Sequence, residues 1–179
     1  MRLILAPFLL LLALPGWAND WEVARQPGVS AIMRHALAPG TGDPARFALG
    51  DCLTQRNLDE RGRAQARALG AAFRARGIVF DTVLASQWCR TTETAELLNM
   101  GAVVPAAPLN SFFGDRSTAA AQTEAARALI ENAQGRLMLV THQVNITALT
   151  GVVPQSGEVL LIETTDEGIT VVGSILIRP

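Results

Sequence analysis

The sequence predicts an α/β fold, a mostly parallel central sheet with helices on both faces and an antiparallel hairpin at its C-terminal edge. Three observations predict it. Short apolar runs alternate with amphipathic, alanine-rich segments; Gly and Pro punctuate the junctions; and the last two β-prone runs flank an Asp166-Glu167-Gly168 turn. A chain of 179 residues that is 49% hydrophobic and 17% charged suits one domain and is too apolar for disorder.

Each element has its own warrant. Val29-Ser30-Ala31-Ile32-Met33 is a short apolar run that reads as a buried strand, and the Gly, Pro and Asp of 39–44 open a loop that continues to Asn57. Leu58-Asp59-Glu60 starts a helix that runs to Arg76, with Ala64, Ala68, Leu69, Ala72 and Phe73 on its apolar face and Gly77 as its stop. Residues 78–85 read as a second strand region, 91–98 as a helix and 102–104 as a third strand. A loop over 105–118 precedes a helix over 119–132. Leu137-Met138-Leu139-Val140 is a continuous apolar strand, 145–150 a short helix ended by Gly151, and 158–163 with 170–177 the closing hairpin.

The N-terminus stands apart from this pattern. Met1-Arg2, an apolar run over 3–14, Pro15 and Gly16-Trp17-Ala18 follow the three-part plan of a secretory signal peptide with cleavage after Ala18. The run is shorter than the roughly 20 residues of a relaxed membrane span, and an uncleaved N-terminal anchor is the other reading. Residues 19–179 are then expected to form a single domain in the periplasm or outside the cell, with no stable membrane span after cleavage. A formal net charge of −1, with basic residues that are all Arg, provides no basic stripe for nucleic acid. An oxidising compartment permits a disulfide between Cys52 and Cys89, the one pair the sequence can make; two buried free thiols are the other reading.

The chemistry collects at three strand ends. Both histidines follow apolar strands, in Ile32-Met33-Arg34-His35 and Leu139-Val140-Thr141-His142, and Thr82-Val83-Leu84-Ala85 leads into Ser86-Gln87-Trp88-Cys89-Arg90. In open α/β sheets ligands bind beyond the carboxyl ends of strands, so two Arg and two His are expected to share one cleft. Guanidinium forks match phosphoryl oxygens, which makes a phosphoryl group the natural guest.

These residues resemble the histidine phosphatase superfamily, whose fold is phosphoglycerate-mutase-like. Arg34-His35 is similar to its Arg-His-Gly signature, Leu58-Asp59-Glu60-Arg61-Gly62-Arg63-Ala64-Gln65-Ala66 to its Leu-Thr-x-x-Gly-x-x-Gln-Ala helix start, Ser86-x-x-x-Arg90-x-x-x-Thr94-Ala95 to its second block and Thr141-His142 to its third. The resemblance covers nearly all of the chain after the leader. It implies a metal-independent phosphatase without a cofactor, in which His35 is the nucleophile and forms a phosphohistidine. Arg34, Arg90 and a protonated His142 would hold the phosphoryl oxygens, with Arg56 and Ser86 as further substrate contacts.

Two departures matter. Ala36 stands where the family has Gly, and the positions of the family's proton donors hold Ser111 and Gln143. Asp43 and Asp115 are the candidate replacements. Without an acid, general acid help of about 10²- to 10⁴-fold is missing, which favours good leaving groups. Two rival readings remain: a Cys₂His₂ zinc site on His35, His142, Cys52 and Cys89, whose scattered spacing is unlike structural zinc sites, and an exported, non-catalytic protein that binds a phosphorylated small molecule or envelope component. Phe112 and Phe113 are expected to be exposed in the 105–118 loop, as a pocket wall or as anchors.

Overall fold

The computed structural model describes residues 20–179, so the expected leader and its cleavage site lie outside the described residues. Six strands form one sheet: β1 (Ser30–Arg34), β2 (Thr82–Ala85), β3 (Val103–Pro105), β4 (Leu137–Thr141), β5 (Val159–Thr165) and β6 (Gly168–Ile175), in the order β3-β2-β4-β1-β5-β6. The first four in that order run parallel. β5 pairs antiparallel with β1 and β6 antiparallel with β5, which makes the terminal hairpin the sheet's antiparallel edge. β1 and β4 lie at the centre, and the interior of both is apolar because helices cover both faces.

Successive residues of a strand feed opposite cores. Met33, Met138, Val140 and Leu161 pack with Leu69 and Phe73 of α1 (Glu60–Ala75) and Ala95 and Leu98 of α2 (Cys89–Leu98). Ile32, Leu139 and Leu160 face the other way, onto Ala126 and Ile130 of α3 (Ala119–Glu131) and Ile146 and Leu149 of α4 (Gln143–Thr150). Among the described residues no helix is long and apolar enough to cross a membrane.

Three details differ from the sequence reading. The buried face of α1 is Gly62, Gln65, Ala66, Leu69, Gly70 and Phe73, so the expected Ala64 and Ala68 point to solvent. Its glycines are the reason: a Cβ on Gly62 would lie 2.0 Å from the Leu37 carbonyl oxygen, and one on Gly70 2.0 Å from that of Leu98. The helix approaches its neighbours through these gaps rather than through Ala64 and Ala68. Gly70→Ala is therefore expected to cost about 2–3 kcal/mol by overpacking against backbone, read as a lowered urea midpoint. Second, α4 starts at Gln143, directly after His142, which is its N-cap residue. Third, Phe112 is buried, and only Phe113 is exposed.

Candidate active site

The parallel register brings the three strand ends together. The His35 backbone N–H donates to the Thr141 carbonyl at 3.0 Å and the Ser86 N–H to the Val140 carbonyl at 3.0 Å, which stitches the ends of β1, β4 and β2 into one rim. Arg34, His35, Arg56, Arg90 and His142 line a single cavity of about 580 Å³ there, with Asp43 and Asp115 among its walls. Ser86 is buried beside it. The two His, the three Arg, the two Asp and Ser86 thus lie at or next to one cleft, whereas Cys52 and Cys89 line a separate hollow.

The tautomers follow from the partners. His35 Nδ1 lies 2.8 Å from the Ala36 carbonyl, which can only accept, so Nδ1 carries the proton and the lone pair is on Nε2. Arg90 Nη2 donates to His142 Nδ1 at 3.4 Å, which leaves the proton on Nε2, 2.8 Å from Ser86 Oγ; Ser86 in turn donates to Asn110 Oδ1 at 3.3 Å. Both imidazoles are therefore neutral. Burial pushes each well below the ordinary value, with Arg90 the next cause at His35 and the other imidazole, then Arg90, at His142. The protonated His142 expected from sequence is not the form this arrangement favours.

A base whose pKa is lowered keeps its lone pair to lower pH. The acid limb of kcat/KM is accordingly expected below pH 6.5, with little loss of the His35 base form between pH 7.5 and 6.5, measured on an aryl phosphate with the substrate's own ionisation divided out.

The guanidinium groups are held differently. Arg34 Nη1 donates to the Pro154 carbonyl at 3.2 Å, and Arg90, 3% exposed, forms a bidentate pair with Asp43 at 2.6 and 3.1 Å. The Nε atoms of both are buried without a hydrogen-bond partner among the described residues. Arg56 donates to the carbonyls of Gly42, at 2.8 Å, and Ala38, so it ties the loop after β1 to the base of α1; burial and then the Arg90 charge lower it to about 10.

Neither candidate acid is poised to donate a proton. Burial raises the Asp43 carboxyl, but hydrogen bonds and charge from Arg90, the Arg56 N–H and the Trp88 indole outweigh it and hold it below the usual range. Asp115 lies at the cavity's rim, where its carboxylate accepts from Ser117 Oγ and N–H and is lowered by them. Ala36 has no left-handed backbone; Asn99, at the end of α2, is the one non-glycine residue with positive φ among the described residues. Ala36 is buried, and its N–H donates to Thr94 Oγ1 at 3.1 Å. The Gly-to-Ala departure therefore costs no strain at this position.

Cys52 and Cys89 are bonded to one another, which removes both thiolates from any Cys₂His₂ set. The bond joins the short 3₁₀ turn Cys52–Thr54 to the first residue of α2, beside Arg90. Gln55 Oε1 accepts from the Cys89 N–H at 2.9 Å. Sequence reasoning gave no role to Gln55, to Thr94 within the second block, or to Asn110, whose amide also accepts from the Gln87 N–H at 2.9 Å. It also gave no role to Trp88, although it sits inside the Ser86-to-Arg90 segment. Trp88 stacks on Phe47 with centroids 4.9 Å apart, and these rings face the cavity together with Phe113, 46% exposed.

An open α/β sheet with two imidazoles and three guanidinium groups around one cavity at its parallel strand ends has the chemistry that suits a phosphoryl group. Residues 32–112 match the sequence model of the histidine phosphatase superfamily (branch 1). No curated protein matches the chain significantly by sequence. Among solved structures it is similar to a candidate phosphohistidine phosphatase, SixA, from Agrobacterium tumefaciens, with TM-score 0.58 and 18% identity over 85% of this chain and 99% of that one. It is similar also to a phosphoglycerate mutase from Thermus thermophilus, with TM-score 0.61 and 15% identity over 84% and 99% of the two chains. A SixA protein histidine phosphatase complexed with tungstate matches at TM-score 0.58 and 17% identity over 82% and 96%. At these identities the likeness is one of fold, and that fold is phosphoglycerate-mutase-like.

Proposed function

We propose that the chain is an exported, metal-independent phosphohydrolase that works through a phosphohistidine on His35. The observation that carries this reading is the tautomer of His35: Nδ1–H is fixed on the Ala36 carbonyl, which leaves the Nε2 lone pair for a phosphorus atom held among Arg34, Arg56 and Arg90. In the first step Nε2 bonds to phosphorus, the bond from phosphorus to the leaving group breaks, and the leaving group takes its proton from water. In the second, water attacks the phosphohistidine, and inorganic phosphate and neutral His35 are regenerated. Nε–H of Arg90 and Arg34 stabilise the charge that builds on the phosphoryl oxygens, and neutral His142 positions Arg90 and Ser86 beside them. The leader motif supports a periplasmic or secreted site of action, and the substrate class is a phosphorylated small molecule or envelope component.

With Asp43 held ionised and Asp115 bound to Ser117, the leaving group receives little proton assistance. An aryl phosphate or a phosphoramidate is therefore expected to turn over about 10²-fold or more faster, in kcat/KM, than a simple alkyl phosphate. Equal rates would show that an acid is present after all. The overall reading is tested by phosphate release from p-nitrophenyl phosphate by purified residues 19–179, with tungstate as competitor. Release that tungstate suppresses supports hydrolysis; tungstate binding without release would leave a phospho-ligand-binding protein.

A further inference from the structure

Asp43 does more than lose the role of acid. An Arg guanidinium has five N–H donors. In Arg90 the four terminal ones are taken: Nη1 by Asp43 Oδ1 at 2.6 Å and the Arg56 carbonyl at 3.3 Å, Nη2 by Asp43 Oδ2 at 3.1 Å and His142 Nδ1 at 3.4 Å. Only Nε is left. The carboxylate therefore sits on the two-pronged end of the guanidinium, the geometry with which Arg takes two oxygens of a phosphoryl group. It does so inside the cavity, where Asp43 and Asp115 are the only carboxylates on the wall among the described residues and face three guanidinium groups.

Asp43 can leave. Its side chain is 17% exposed, it faces the cavity, and its remaining partners, the Trp88 indole N–H at 3.0 Å and the Arg56 N–H at 3.2 Å, are single neutral donors. Gly40 and Gly42, both in the left-handed region, precede it and give the segment backbone freedom.

We propose that Asp43 is a place-holder for the phosphoryl group: its carboxylate occupies the fork of Arg90 that phosphoryl oxygens take, so that substrate binding exchanges one anion for another. The inference rests on the reading that Arg90 binds the phosphoryl group. Asp43 keeps Arg90 oriented and its charge balanced, and it sets a threshold that weakly bound anions, including the product phosphate, do not pass. Binding is weakened by the fraction of time the fork is taken. If the carboxylate holds it nine-tenths of the time or more, its removal tightens oxyanion binding by about tenfold or more.

The test is calorimetric titration of inorganic phosphate and tungstate into wild-type protein, Asp43→Asn and Arg90→Ala, with circular dichroism to verify folding. Asp43→Ser is the second variant, since its hydroxyl keeps an acceptor for the indole without a charge. The expected result is about tenfold tighter binding in Asp43→Asn or Asp43→Ser, a matching fall in KM and in the phosphate inhibition constant, and loss of binding in Arg90→Ala. A residue that served only to support the loop would give weaker binding on removal, so the sign of the change discriminates. Weaker or unchanged binding in the Asp43 variants, with binding lost in Arg90→Ala, would overturn the place-holder and leave Arg90 as the phosphoryl ligand. Unchanged binding in Arg90→Ala would overturn both. On wild-type protein, the Trp88 indole N–H resonance, assigned with Trp88→Phe, is expected to shift as phosphate takes the fork; no shift at saturating phosphate would also overturn the proposal.

Discussion

His35→Ala is expected to lose at least about 10⁴-fold in kcat on p-nitrophenyl phosphate, the scale on which removal of a nucleophile is felt, while keeping its fold and its affinity for phosphate within a few fold. The separation of kcat from binding follows from the geometry. In the proposed mechanism the nucleophilic atom is His35 Nε2, whereas the oxyanion contacts come from guanidinium groups, that of Arg34 at the end of β1 and that of Arg90 on α2. Loss of the ring removes one wall contact of the Trp88–His142–His35 cluster, whose centroids lie 5.3 and 5.6 Å apart, and no ion pair. The measurements are steady-state turnover and phosphate titration on one preparation. A variant that retained a tenth of wild-type kcat would show that water attacks phosphorus directly.

The second large effect concerns the Cys52–Cys89 bond, which closes a sequence separation of 37 residues. In the chain-entropy treatment a loop of this length contributes roughly 4 kcal/mol. For a domain of this size that corresponds to a fall of about 8–15 °C in Tm when both cysteines become Ala. The effect reaches the site as well. The loop that the bond clips to α2 carries Gln55 and Arg56, and it packs over Arg90, whose Nη1 donates to the Arg56 carbonyl at 3.3 Å. Cys52→Ala/Cys89→Ala is thus expected to show a raised KM together with the lower Tm, and scanning calorimetry with parallel kinetics checks both. An unchanged Tm would mean that the loop's hydrogen bonds suffice.

The strand ends were legible because a short apolar run reports burial on both sides of a parallel sheet; Arg34-His35 and His142 lie at the ends of such runs, and Arg90 follows one through the short Ser86-Gln87-Trp88-Cys89 connection. The α1 face was not, because apolar periodicity weights Ala64 and Ala68 and ignores Gly62 and Gly70, whose value is the absence of a side chain against the Leu37 and Leu98 carbonyls. The start of α4 was placed two residues late because Gln143 and Val144 carry no capping signature; the rim geometry, not the local sequence, sets His142 as its first flank. Phe112 and Phe113 are neighbours of one type with opposite environments, which no local pattern distinguishes. The Asp43–Arg90 pair joins residues 47 positions apart through a loop without periodicity, so only the folded chain reveals that a candidate acid is instead a bound carboxylate.

Covalent catalysis at His35 is tested by intact-protein mass after brief mixing of residues 19–179 with an activated phosphate ester at neutral pH, quenched in alkali to preserve phosphohistidine. The expected result is a gain of one phosphoryl group in the wild type, mapped to His35 by fragmentation and missing from His35→Ala. Turnover by the wild type with no adduct at any mixing time, or an adduct of equal yield in His35→Ala, would contradict it.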